Sequence, residues 1–349
     1  MNKILLSIKN LEVNFKLRGK ILKVIRNISL DIYENESIAI VGESGSGKSV
    51  FTKVLSGMLD DNGYINSGVV LFNDEASIEL SKISNKDWQK IRGSKIATVF
   101  QDPMTSLNPL MTIGNQIASV IIKHQKCSKE IAKNRAINIM KRVGISNPEK
   151  RYNEYPFQYS GGMRQRIVLA IALSCQPKVL ICDEPTTALD VTIQAQILRL
   201  IKDLQKELNF TIIFITHDLG VVANIADRVA VMYAGQIVEL GTSQDIFYDS
   251  KHPYTWALLS SLPQLAKKGD ELYSISGTPP SLYNEIIGDA FAKRNPYCMK
   301  IDTLEEPPMF EISNTHFAKT WLLDDRAPKI DKPEIIRNLH EKMIEQYNL

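Results

Sequence analysis

The sequence predicts an α/β fold with a core of parallel strands, on two observations. An apolar run, SIAIVG (37–42), passes directly into GESGSGKS (42–49) and then into KSVFTKVLSGML (48–59), where Phe51, Val54, Leu55 and Met58 share one helical face. Two further apolar runs, KVLICDEP (178–185) and TIIFITHD (211–218), flank a stretch in which Ile193, Ile197, Leu200, Ile201, Leu204 and Leu208 recur at helical spacing. Strand, helix, strand requires a crossover and hence a parallel pair.

The remaining elements follow in chain order. LEVNF (11–15) alternates apolar and polar residues as a half-buried strand does, and much of the first 45 residues reads as short strands. From about 104 to 175 the pattern turns helical, in TIGNQIASVIIKHQ and KEIAKNRAINIMKRVGI. RVAVMYAGQIVELG (228–241) reads as a hairpin about Ala234 and Gly235. Beyond about 260 the prolines cluster (Pro263, Pro279, Pro280, Pro296, Pro307, Pro308) and periodicity weakens. The division is therefore residues 1–260 as one domain and 261–349 as a separate, loop-rich appendix. There is no low-complexity tract and no internal repeat.

Composition excludes several classes. At 349 residues with 44% hydrophobic and 23% charged content, the chain can bury a sizeable core and exceeds one ordinary domain. Its 42 basic and 39 acidic residues leave a net charge of +3, unlike a dedicated nucleic-acid binder. Cys127, Cys175, Cys182 and Cys298 are scattered, which argues against a disulfide framework and for a reducing compartment. MNKILLSIKN holds only three consecutive apolar residues, too few for a secretory core. No run approaches the roughly 20 apolar residues that span a bilayer. The expectation is a soluble chain that reaches a membrane, if at all, through a partner.

GESGSGKS satisfies G-x-x-x-x-G-K-[ST] with Gly42, Gly47, Lys48 and Ser49. Gly42, Glu43, Ser44, Gly45, Ser46 and Gly47 form a turn whose glycines let successive N–H groups curl around a phosphate chain, and the helix that follows adds its positive end. Lys48 would reach the β- and γ-phosphates, and the Ser49 hydroxyl would ligate magnesium. A strand before and a helix after are the context such a loop needs. In VLICDEP, Asp183 and Glu184 end an apolar strand where open α/β sheets place ligands. Asp183 would help hold the metal and Glu184 would polarise the attacking water.

At YSGGMRQR (159–166) the residues begin to resemble one family closely. With Gln101 in VFQDP, Asp190 in TTALD and His217 in FITHD, the octet and Asp183-Glu184, six landmarks stand in the chain order of the ATP-binding subunits of ABC transporters. The resemblance covers roughly residues 4–260. It implies a P-loop NTPase cassette with a parallel-sheet core, N-terminal antiparallel strands and a helical subdomain at about 102–165. It further implies that Ser160, Gly161 and Gly162 face the γ-phosphate held by a second subunit, so that two ATP molecules are sandwiched between paired cassettes. Gln101 would touch magnesium, His217 would bond the γ-phosphate and help place water near Glu184, and Asp190 would shape the interface. Phe15 is a candidate to stack on adenine or, equally, a core residue. Tyr159 and Met163 depart from the leucine and glutamine that many members carry.

The tail narrows the resemblance. HPYTWALLSSLP (252–263), ISGTPPSL (275–282), GDAFAKRNPYC (288–298) and EEPPMFEIS (305–313) are similar to the tail of oligopeptide and dipeptide permease ATPases. That implies ATP hydrolysis coupled to import of short peptides, with nickel and similar small solutes as variants within the branch, at the cytoplasmic face of the cell membrane. The implied partners are a second ATPase, two integral membrane permease subunits and an extracytoplasmic peptide-binding protein. Many relatives hold an iron–sulfur cluster with four tail cysteines. The corresponding positions here are Asp289, Asn295, Asp302 and Thr320, so no cluster is expected. Two rival classes are a nucleic-acid- or ribosome-directed ABC ATPase and a non-hydrolysing regulatory partner. The single phosphate loop and near-neutral charge oppose the first, and intact Lys48, Asp183, Glu184 and His217 oppose the second.

Overall fold

A computed structural model of the chain describes residues 3–100, 106–186, 190–262, 275–337 and 339. β1 (Ile4–Leu17) and β2 (Lys20–Tyr33) form an antiparallel hairpin closed at Arg18-Gly19, both at positive φ. β3 (Ser37–Val41) runs into α1 (Lys48–Leu55) through the glycine octet. β4 (Gly63–Asn73) and β5 (Ser77–Glu79) return to the first sheet, whose order is β2-β1-β4-β5. α2 (Asn85–Ile91) then leads to β6 (Ile96–Val99). Helices α3 (Ile113–Gln125), α4 (Lys129–Arg142), α5 (Pro148–Arg151) and α6 (Gly161–Leu173) form the inserted helical stretch.

The chain re-enters the core as β7 (Val179–Asp183), α7 (Val191–Leu208), β8 (Thr211–Thr216), α8 (Leu219–Ile225), β9 (Arg228–Tyr233) and β10 (Gln236–Thr242). α9 (Ser243–Asp249) and α10 (Pro253–Ser260) follow, and the tail adds β11 (Phe310–Glu311) and β12 (Phe317–Ala318). The second sheet has the order β11-β12-β10-β9-β3-β8-β7-β6. Its centre, from β9 to β6, is parallel, and the hairpin expected at Ala234-Gly235 joins β9 to an antiparallel β10.

Both faces of the parallel centre are buried. Residues of alternate parity on each strand enter two different cores, as strand geometry requires. Ala39, Val41, Leu180, Cys182, Ile212 and Phe214 pack toward α3–α7 and the tail. Ile38, Ile40, Val179, Ile181, Ile213 and Ile215 pack toward α1, α2 and the antiparallel sheet. Such strands read as unbroken apolar runs, which is how they were legible in the sequence.

Two expectations need correction. The helix after the octet ends at Leu55 rather than continuing to residue 59. Gly57 takes φ +64° and turns the chain against the Trp88 ring, leaving Met58 only half-buried. The appendix is loop-rich but not separate. β12 pairs with β10, extending the main sheet, and Phe291 is buried against Tyr233 and Tyr254. His316 Nε2 lies 2.8 Å from Glu239 Oε1 with both side chains buried, and the same carboxylate accepts the Lys251 and His252 amides at 2.6 and 3.2 Å. His252 itself is buried, which pushes its pKa down to about 3, and its neutral Nδ1 accepts the Tyr254 amide.

Ile213 is fully buried in the middle of β8. Ile213→Ala should lower stability by about 2–5 kcal/mol, since the rigid sheet cannot collapse into the cavity. A urea-unfolding midpoint that does not move would contradict this packing.

Candidate active site

The octet takes the shape its glycines permit. Gly42 leaves β3 at φ +153°, and a Cβ there would drive into the Met232 carbonyl oxygen on β9. Gly47 caps α1 at φ +104° with no side-chain acceptor in play. The first N–H groups of α1 therefore have no acceptor within the helix, as at any helix start. The hairpin tip supports the loop from one side, Gly235 N–H donating to Ser46 C=O at 2.9 Å. Ser44, Gly45 and Ser49 are exposed.

Lys48 is drawn into the loop it follows. Its ammonium donates to the Gly42 carbonyl at 2.6 Å, the Glu43 carbonyl at 2.8 Å and Ser46 Oγ at 3.4 Å. Burial lowers its pKa, while Glu184, Asp183 and Glu43 act in the opposite direction. A cation within a ring of backbone groups, at a helix N-terminus, suits a polyanion.

Asp183 ends β7 half-buried. Burial raises its pKa, neighbouring Glu184 raises it further, and Lys48 opposes both. Glu184 leaves the strand at φ +46°, its amide donating to Ile215 C=O at 2.9 Å. A non-glycine residue at positive φ is strained, and here the turn lifts the carboxylate off the strand end. Glu184 Oε1 lies 2.9 Å from His217 Nδ1, just past the end of β8. The ends of β3, β7 and β8, adjacent in the sheet, thus gather the octet, both carboxylates and the imidazole. Among the described residues no three His, Cys, Asp or Glu side chains gather as a metal cage. Ser49 and Asp183 carry hard oxygen donors of the kind that would suit magnesium.

Ser160 caps α6, accepting the Met163 amide at 3.4 Å, with Gly161 and Gly162 in the first turn. Asp190 is likewise the N-cap of α7, accepting the Ile193 amide at 2.9 Å. Tyr159 is buried, its hydroxyl donating to Arg151 C=O at 2.8 Å, and burial pushes its pKa up to about 12. The departure from leucine thus ties the signature to α5. Phe15 is only 8% exposed, with Gly63 packed on its ring edge, so core packing accounts for most of its surface. Gln101 lies outside the described residues.

Sequence reasoning passed over Gln165. It is buried on α6 and donates to Pro185 C=O at 2.6 Å, tying the signature helix to the residue after Glu184. Nothing in YSGGMRQR distinguishes that glutamine from a surface one.

In the tail, Asp289, Asn295, Asp302 and Thr320 are all buried. Each accepts a backbone N–H, from Phe291, Tyr297, Met299 and Leu322 respectively. Oxygens and an amide capping turns do not make a thiolate set, so these residues do not fit an iron–sulfur cluster. Burial and the nearby Asp302 carboxylate push the Asp289 pKa up to about 6.

Residues 25–187 match the ABC transporter family model, and residues 238–301 match that of the oligopeptide/dipeptide transporter C-terminal region. The oligopeptide transport ATP-binding protein AmiE of Streptococcus pneumoniae is 60% identical over 343 residues, spanning 98% of this chain and 96% of that one. The chain belongs to the ABC transporter ATP-binding subunits. This ABC subunit is also 56% identical to the dipeptide transport ATP-binding protein DppD of Lactococcus lactis, over 93% of each chain. Among solved structures, the dimeric post-hydrolysis state of the ATP-binding cassette MJ0796 bound to ADP and Pi matches with a TM-score of 0.60 and 29% identity. That match covers 68% of this chain and 98% of that cassette. The α/β cassette fold and ATPase activity of the family are therefore those of this ABC subunit.

Gly42→Ala should weaken ATP binding and lower thermal stability, because strain of about 1–3 kcal/mol falls on the loop. Unchanged ATP affinity in a nucleotide titration would refute the close approach to Met232. Asp289 offers a pH test. Its raised pKa means the native state takes up a proton more readily than the unfolded chain, so stability falls as pH rises from about 4 to about 6. Asp289→Asn should remove that slope and gain on the order of 2 to 3 kcal/mol above pH 6. Chemical denaturation of both proteins at pH 4.5 and 7.5 measures the difference.

Proposed function

We propose that this subunit energises import of oligopeptides or dipeptides by closing around ATP against a second ATPase subunit, at the cytoplasmic face of a cell membrane. The observation that carries the catalytic part is the meeting of Lys48, Asp183, Glu184 and His217 at the ends of three adjacent strands, with Glu184 and His217 in hydrogen-bond contact.

The loop N–H groups and Lys48 hold the phosphate chain, while Ser49, Asp183 and Gln101 are the magnesium residues of the proposal. Bound magnesium would neutralise charge on the phosphate oxygens. Glu184 orients the attacking water and accepts its proton, and His217 fixes the carboxylate rotamer through Nδ1. Phosphoryl transfer to water asks little covalent chemistry of a protein, so positioning and charge account for most of the rate. Ser160, Gly161, Gly162 and Asp190 serve the partner's nucleotide, since each helix start they form offers N–H donors beyond its own cap. Phe15, almost wholly buried, has little surface to offer the adenine.

Among the described residues no helix is long and apolar enough to cross a membrane, so membrane contact is assigned to permease subunits. A cleft of about 320 Å³ lies between the core and the helical subdomain, lined mainly by apolar side chains such as Met58, Phe100, Val168 and Ile171, with Arg92, Lys123 and His124 also on its wall. Phe100 is 45% exposed there. The cleft suits an apolar helix of such a subunit, which would feel α3 and α6 move when the cassettes close. The peptides themselves are read by an extracytoplasmic binding protein and the permease.

Glu184→Gln should bind magnesium–ATP as the unaltered chain does and lose turnover by on the order of a hundredfold or more, the range of a lost general base. Brisk phosphate release by this variant would remove Glu184 from the mechanism.

A further inference from the structure

Arg294 lies 251 residues beyond Glu43 in the chain, yet its guanidinium closes on the second residue of the phosphate loop. Nη1 donates to Glu43 Oε2 at 2.7 Å and Nη2 to Oε1 at 3.0 Å, a two-pronged charge-assisted pair. The remaining donors are also engaged. Nε reaches Ser276 C=O at 2.9 Å, Nη1 the Tyr233 hydroxyl at 3.3 Å, and Nη2 Ile275 C=O at 3.4 Å. The arginine side chain is only 4% exposed and lies over the Tyr233 and Phe291 rings. A guanidinium with all its donors satisfied inside an aromatic frame has one position available to it.

Glu43 is held a second time, through its backbone. Its amide donates to the Tyr254 hydroxyl at 2.8 Å. Tyr254 sits on α10, fully buried, with its ring centroid 4.5 Å from that of Tyr233 and 5.4 Å from that of Phe291. Main chain and side chain of the same loop residue are therefore both anchored in the C-terminal part of the molecule. The pairing also deals with charge. A bare carboxylate on a loop that receives a triphosphate would repel it, and the guanidinium cancels that repulsion.

We propose that Arg294 and Tyr254 are positioning residues for the phosphate loop, and that the tail, by clamping Glu43, sets the affinity of the loop for the phosphate chain of ATP. The inference rests on the octet being the ATP site. By linkage, whatever moves the Arg294 segment changes nucleotide affinity, and nucleotide binding acts back on that segment by the same factor.

The test measures magnesium–ATP dissociation constants and steady-state hydrolysis for the full unaltered chain and for Arg294→Ala, Arg294→Lys and Tyr254→Phe. Arg294→Ala should raise the dissociation constant and KM on the order of tenfold, with kcat at saturation within about twofold, as expected when only loop placement is lost. Arg294→Lys should recover part of the loss, because an ammonium keeps the charge but cannot bridge both carboxylate oxygens. Tyr254→Phe keeps the ring packing and removes one acceptor, and should raise KM severalfold. These two milder variants carry the test should Arg294→Ala fold poorly. A merely structural role predicts lower thermal stability and lower apparent kcat with KM unchanged, and that result overturns the proposal. Equal ATP affinity in all four proteins overturns the clamp alone, whereas no ATP binding by the unaltered chain overturns the phosphate-loop reading beneath it.

Discussion

A parallel sheet covered on both faces leaves charge one place to go, beyond the ends of its strands. β3, β7 and β8 each send successive side chains into two apolar cores, so no charged side chain lies along them short of their C-terminal ends. At their C-terminal ends the backbone must turn, and there the chain sets Gly42, Asp183, Glu184 and His217. The strand order makes these ends neighbours although the residues lie up to 175 positions apart. The gathering of these groups is thus a consequence of how the sheet is buried, and its chemistry is what the sheet edge can hold.

Within that edge the loop is under constraint from several directions. The Met232 carbonyl forbids a side chain at residue 42, the Gly235 amide takes the Ser46 carbonyl, and Lys48 folds back onto the Gly42 and Glu43 carbonyls. Arg294 and Tyr254 complete the enclosure from the tail. Preorganisation of this kind is where a phosphate-binding loop finds its selectivity, because N–H donors already in place need not be ordered when the anion arrives. The cost is strain at Glu184 and the glycine backbone, and the packed sheet beneath them bears it.

The tail has two parts to play. It finishes the main sheet through β12 and buries the Glu239–His316 pair, and it reaches across to the octet. Asp289, Asn295, Asp302 and Thr320 are four buried tail side chains that each accept a backbone N–H. Backbone amides hold these four side chains in place, and Asp289 sits in a buried setting that favours its neutral form.

The local features were legible because each is enforced by local physics. Apolar runs announced buried strands, and the octet stands between a strand and a helix as its glycine pattern led one to expect. The Phe51–Met58 face was overread because the turn at Gly57 is set by Trp88, 31 residues on. Gln165, Arg294 and Tyr254 left no such trace. A glutamine, an arginine and a tyrosine have no distinguishing neighbours in the chain, and their roles exist only once Pro185 and Glu43 are brought beside them. Sequence alone determined which segments could be strands, loop and helices. Tertiary structure alone decided which distant side chains brace the loop, since pairing across 251 residues depends on packing and not on spacing.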